Sequence, residues 1–187
     1  SVAAQLDTDP IDLAASSNEV SILKHVIPYN EELLCFSDRA QFKVQSSEAA
    51  LSPTGTGISL STRFEHDPLV EPVGAGNYIY FTQNKGDKTA VREYFVEPDT
   101  TNNDSVDVTV GVPSFIPNNA YKIISNDIED TLIVLCDDGA DTNTAPYTAS
   151  SNVNPTKANR MYVYKYFWNG NEKVQSAWSY WDFTGVQ

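Results

Sequence analysis

From Val20 onward the chain consists of short apolar runs separated by clusters of Gly, Pro, Asn, Asp and Ser. Runs rich in β-branched and aromatic residues, punctuated this way, predict strands rather than helices. They fall at 20–27, 32–37, 40–45, 57–64, 77–82, 89–97, 105–110, 120–125, 131–136, 160–168 and 173–183. Helix is scarce: Pro10 breaks a helical pattern over Leu6 to Leu13, and Pro113 and Pro117 bracket 112–117, each ring removing a backbone donor. Residues 1–19 read as an extended lead-in with a turn at Asp9-Pro10, and residues 20–187 as one β-rich domain. The predicted class is all-β.

The strongest runs repeat. Leu33 to Ser37 is followed by the alternating stretch Gln41 to Val44; Tyr78 to Thr82 by Val91 to Phe95; Leu132 to Cys136 by Tyr162 to Tyr166. Each unit is a buried strand, a polar connection, then an alternating strand, which is the pattern of a half-exposed outer strand in Val91, Glu93 and Phe95 against Arg92 and Tyr94. The first members lie 45 and then 54 residues apart, close to the period of about 40–50 residues of β-propeller blades. About three partial blades fit this length, too few for a ring of about 4 to 8. The missing blades then belong to a longer chain, of which a start at Ser1 without Met is also suggestive. Three hairpins of a β-sandwich would align in the same way, so two stacked sheets remain the alternative.

The end of the chain is unusually aromatic. Met161 to Trp168 and Glu172 to Phe183 flank Asn169-Gly170-Asn171, a hairpin signal because Asn and Gly tolerate the positive φ of tight turns. Rings this dense are expected to be buried, with Trp168, Trp178, Tyr180 and Trp181 serving blade packing or subunit contacts.

Acidic side chains outnumber basic ones 25 to 12 in the 187 residues, a net charge of −13. Without clustered Lys and Arg, tight binding to a phosphate backbone is disfavoured. A hydrophobic content of 41% is enough to fill a core. Cys35 and Cys136 lie inside apolar runs with no neighbouring His or Cys, the setting of buried thiols rather than of a metal site or disulfide framework. No apolar stretch approaches the about 18 residues of a membrane span.

Candidate chemistry is thin. Asp137, Asp138, Asp141 and Asn143 around Gly139 resemble a calcium loop but lack the closing bidentate Glu, which favours a solvated acidic turn in 137–159. Glu31, Glu32, Asp67, Glu71, Glu129 and Asp130 could pair for glycoside hydrolysis, but their number prevents a choice. His25 and His66 have no nucleophile elbow to serve. Gly74-Ala75-Gly76-Asn77 precedes a strand, whereas phosphate cradles precede a helix. No catalytic, cofactor-binding or metal-binding residue is assigned. The Ser-, Ala- and Thr-rich stretch 45–57 and the segment 137–159 are expected to be surface loops.

Leu6-Asp7-Thr8-Asp9-Pro10-Ile11-Asp12, Val20 to His25, Asn30 to Phe42, Val112 to Pro117 and the terminal Tyr162 to Phe183 together resemble the tail nozzle (tail tubular protein B) family of short-tailed bacteriophages. The resemblance covers nearly the whole chain and lies in order and spacing rather than in a catalytic signature. It implies a non-enzymatic virion protein of the phage tail, in a ring of six subunits below the adaptor ring, continuing the channel for genome ejection. It also implies a longer protein with a β-propeller region, contacts to adaptor and tail fibres, and DNA that passes without specific binding and without a membrane partner. An acidic channel face would repel the duplex and favour its passage. A carbohydrate-binding or polysaccharide-degrading tail propeller is the competing expectation, because aromatic platforms and carboxylates suit sugars. The isolated chain is expected to be a monomer, since ring closure needs the missing parts.

Overall fold

A computed structural model describes residues 22–46, 55–100, 102–136, 160–169 and 172–182. Twelve strands make three four-stranded antiparallel sheets among these residues, each in the order of the sequence. The first holds β1 (Leu23–Tyr29), β2 (Glu32–Ser37), β3 (Gln41–Ser46) and β4 (Thr56–Thr62). The second holds β5 (Val73–Ala75), β6 (Tyr78–Asn84), β7 (Thr89–Val96) and β8 (Asn103–Asp107). The third holds β9 (Ala120–Asn126), β10 (Thr131–Cys136), β11 (Arg160–Asn169) and β12 (Glu172–Asp182). The chain divides into two compact units, Ser1–His66 and Asp67–Gln187.

Local chemistry sets the turns. Asn30 and Glu31 join β1 to β2 with φ of 48° and 64°, the left-handed pair that a two-residue hairpin requires. Between β2 and β3 the Ser37 hydroxyl accepts the Ala40 amide at 2.9 Å, beside a backbone bond from Ser37 to the Ala40 carbonyl at 2.9 Å. In the β6–β7 turn Asn84 Oδ1 accepts the Gly86 amide at 3.0 Å, and Gly86 has a φ of 77°, which only glycine adopts freely. Asn126 Oδ1 likewise accepts the amides of Ile128 and Glu129 at 3.1 and 3.3 Å to start the β9–β10 turn.

In the first unit Cys35, Ala40, Phe42 and Val44 form a buried cluster backed by Leu33 and Ile58. Gln41 is fully buried there, accepting from Thr62 Oγ1 at 2.6 Å and donating to the Phe64 carbonyl at 3.0 Å. These bonds satisfy an amide that would otherwise be costly to bury, and they tie β3 to the chain leaving β4.

In the second unit the two sheets pack face to face. Ala75, Tyr80 and Val91 from the second sheet meet Ile123, Leu132, Val134, Tyr162, Tyr164 and Tyr166 from the third. Their first strands lie side by side: Ser125 Oγ donates to the Gly74 carbonyl at 2.7 Å, and the Gly76 amide donates to Asp127 Oδ2 at 3.2 Å. At the opposite edges, the segment following β8 and strand β12 border a cleft of about 530 Å³.

The three expected hairpins are present as β2–β3, β6–β7 and β10–β11, and the terminal one as β11–β12. Two details differ from expectation. β5 was not anticipated, because three residues containing Gly74 give no periodic signal. The second strand of the repeat is also not an outer one: β7 lies between β6 and β8, with Val91, Glu93 and Tyr94 all buried. Its charged residues suggested exposure, but they are partnered inside the sheet. Arg92 Nε donates to Ser105 Oγ at 3.0 Å, and its Nη2 donates to the Ser105 carbonyl. The lead-in 1–19, the acidic stretch 137–143, most of 45–57 and Gly170-Asn171 lie outside the described residues.

Candidate functional site: a charged junction between two sheets

The polar feature that joins the second and third sheets is centred on Glu93. Strand alternation aims this residue, with Val91 and Phe95, at the third sheet. The β6–β7 register sets Tyr80 opposite it, and the Tyr80 hydroxyl donates to Glu93 Oε2 at 2.5 Å. From the third sheet, Lys173 of β12 donates its ammonium to the same oxygen. The side chains are only 5% and 17% exposed, so this is an interior ion pair.

Aromatic residues enclose the ammonium. Lys173 Nζ lies 5.0 Å from the centroid of Trp168, 5.5 Å from Tyr164, 5.6 Å from Tyr166 and 5.9 Å from Tyr78. Ring faces carry negative potential and hold a cation at such distances. The enclosure is itself packed across the sheets, since Tyr78 stacks on Trp168 at 4.8 Å and Tyr80 on Tyr166 at 6.1 Å. Beside it Trp178 tilts against Tyr164 at 4.9 Å and donates its indole N–H to the Val108 carbonyl at 2.8 Å.

Burial, reinforced by the Glu93 charge, holds the Tyr80 hydroxyl well above the usual phenol range. Burial first, then the charges of Asp130 and Asp127, pushes Tyr166 up to about 12. Both phenols therefore stay protonated near neutral pH, and the Tyr80 hydroxyl serves Glu93 as a hydrogen-bond donor. The arrangement joins the two sheets through one directional, charge-assisted contact within an otherwise apolar interface.

The residues singled out in the sequence are dispersed. Glu31 and Glu32 sit at the β1–β2 turn, where Glu32 pairs with Lys43 at 3.1 Å. Asp67 is buried and accepts the Leu69 amide at 3.0 Å, while Glu71 is exposed. Glu129 and Asp130 lie in the β9–β10 turn, where Glu129 Oε2 meets Lys165 at 3.5 Å. His66 is buried in the first unit, 5.1 Å from Phe36 and edge-on to His25 at 5.3 Å. Cys35 and Cys136 are buried free thiols, and burial raises both, Cys136 to about 12. Among the described residues no three His, Cys, Asp or Glu side chains gather as a metal-binding group.

Of the four terminal aromatics, Trp168 and Trp178 pack against the core, whereas Tyr180 and Trp181 are 48% and 51% exposed. Sequence reasoning missed the junction. The available signal was a lone Glu at an apolar-facing position between Val91 and Phe95, but its partner lies 80 residues away.

Three consecutive four-stranded antiparallel meanders, of which the second and third are stacked and clamped together, define an all-β packing module. The bacteriophage nozzle protein family matches over residues 1–187, and the chain belongs to that family. It is similar to the tail tubular protein gp12 of Escherichia phage T7, with 32% identity over 184 residues that cover 98% of this chain and 21% of that protein. The chain therefore spans about a fifth of the length of the curated relative it matches.

Proposed function

We propose that the chain is a structural module of a phage tail nozzle, situated in the virion tail and contributing to the wall of the conduit through which the genome leaves. Its sheets are consecutive blades of a β-propeller within a longer protein, and residues 20–187 belong to that region. The observation that carries this reading is the stacking of two successive meander sheets with their first strands adjacent, the arrangement of neighbouring blades, in a chain that belongs to the nozzle family. The clamp at Glu93 and Lys173 gives such a wall rigidity and no catalytic role. In the complete protein, six copies form a ring that meets the tail adaptor and the fibres, and DNA passes through without specific binding. The net charge of −13 suits that passage where acidic side chains face the duplex.

The direct test is cryo-electron microscopy of purified tails together with mass spectrometry of virions. Density for this sequence in a six-fold ring below the adaptor is expected, and its absence from the virion would overturn the assignment. Replacing the exposed acids Asp87 and Asp99 with lysine tests the repulsion separately. Slower genome release in low salt is expected, and an unchanged rate would mean that these residues do not face the duplex.

A further inference from the structure

The second and third sheets touch at their first strands, and the cleft of about 530 Å³ opens between their last, β8 and β12. The second sheet and the segment after it contribute Val106, Val108, Val110 and Val112, of which Val106 is 43% and Val110 75% exposed. The third sheet contributes the rings of Tyr164, Trp168 and Trp178. Glu93 lines the same cleft. Its Oε2 takes both the Tyr80 hydroxyl and the Lys173 ammonium, whereas its Oε1 accepts no hydrogen bond among the described residues. A carboxylate oxygen in a side chain only 5% exposed is costly to leave without a donor. The junction thus uses half of the carboxylate and presents the other half to the cleft.

Charge and shape narrow what could supply the donor. Glu93 and Asp107 give the lining two carboxylates against the single ammonium of Lys173, which favours a cationic donor over a neutral one. A guanidinium meets the remaining demands better than an ammonium, because its planar fork donates to a carboxylate while its face lies on an aromatic ring, and its weaker hydration makes burial less costly. The valines call for apolar neighbours on either side of it. Both bordering strands are the last of their sheets, and the free backbone groups of such edges suit an extended chain. We propose that the cleft is a docking site for an extended segment of a separate protein, which sets an arginine against Glu93 Oε1 and apolar side chains against the valines. The inference takes one point from the nozzle reading above: successive blades stack on sheet faces around an axis, so the parent polypeptide's own sheets are not directed into a cleft between outer strands. A second copy is disfavoured as the source, because chains each carrying −13 repel one another.

Fluorescein-labelled pentapeptides Val-Thr-X-Thr-Val, with X each amino acid in turn and also citrulline, test this on the full-length polypeptide by fluorescence anisotropy. Extended, such a peptide turns X and both valines to one side. Arginine at X is expected to bind about fivefold tighter than lysine and about tenfold tighter than citrulline, which keeps the shape without the charge. Val110→Lys should weaken the arginine peptide about tenfold, whereas Ile128→Lys, the same charge change at a 93% exposed position in the β9–β10 turn, should leave it unchanged. Equal weakening by both variants would mean that the peptide follows net charge alone. Citrulline or glutamine binding as tightly as arginine would mean a neutral ligand, and no saturable binding by any peptide would mean that no extended segment docks there. Each of these three outcomes overturns the proposal. Incorporation into virions is scored in parallel by mass spectrometry. Arginine-selective binding by a protein absent from virions sinks the nozzle assignment alone, and a virion protein without that selectivity sinks this inference alone.

Discussion

Replacing Lys173 with methionine removes the ammonium from the junction while nearly conserving side-chain volume, so the loss can be attributed to charge. Glu93 would then be stranded at 5% exposure with Tyr80 as its remaining donor. Breaking a buried pair from one side costs about 3–5 kcal/mol, because the surviving charge keeps its desolvation penalty without its partner. The four surrounding rings would also lose their cation, although methionine sulfur keeps favourable contact with aromatic edges. Against a total stability of about 5–15 kcal/mol this is a large fraction, and at about 2–4 °C per kcal/mol it corresponds to a fall in Tm of about 6–20 °C. Urea unfolding followed by tryptophan fluorescence measures it, with an unchanged m-value required for the comparison. The double variant Glu93→Gln/Lys173→Met, which removes both charges, should return to within about 1–2 kcal/mol of the parent. A loss below about 1 kcal/mol in the single variant would refute the buried-clamp reasoning, since that is the range of a surface pair. A double variant no better than the single would show that shape, not charge, holds the junction.

In the first unit, Gln41→Leu would take the acceptor from the buried Thr62 hydroxyl and remove the bond to the Phe64 carbonyl, and it should cost about 1–3 kcal/mol in chemical denaturation. Trp178→Phe keeps most of the ring packing but loses the bond to the Val108 carbonyl, so a smaller loss of about 1 kcal/mol is expected in the same assay. Gly86→Ala at a φ of 77° should cost about 1 kcal/mol through backbone strain alone, since open space surrounds the added methyl. Alkaline pH should unfold the chain. Burial carries Cys136 from 9.0 and Tyr166 from 10.0 to about 12 in the fold. Their raised folded values contribute stability that is complete below pH 9 and is lost as pH rises toward 12. Urea midpoints should therefore be level from pH 7 to about 8.5 and fall above that, with labelling of the Cys136 thiol appearing at unfolding, and labelling of Cys136 well below the unfolding pH would contradict this account.

The hairpins were legible because strand periodicity is local: the alternation in β11 and β12 fixes which residues pair before any tertiary contact is known. The class followed from turn chemistry at residues such as Asn84, Gly86 and Asn126. The clamp was not legible, because a charge in an alternating run signals solvent unless its partner is known, and Lys173 reaches Glu93 from another sheet. β5 escaped for the opposite reason, since three residues are too few to carry a period and register is supplied by β6. Aromatic density likewise predicted burial for the terminal rings as a group. It could not separate Trp178, whose pairing opposite Tyr164 turns it inward, from Trp181, whose pairing opposite Met161 turns it outward.

Every strand in each sheet lies beside its neighbour in the sequence, and that order has a kinetic consequence. Most of these ladders, though not β10–β11 with the 23 residues between its strands, close small loops, so little entropy is lost before their hydrogen bonds form. Each sheet can therefore assemble soon after its last strand leaves the ribosome, and the third then condenses on the second, already built. A polypeptide several times this length can in this way mature sheet by sheet from its amino end, and only the face awaiting its successor stays vulnerable to aggregation during synthesis.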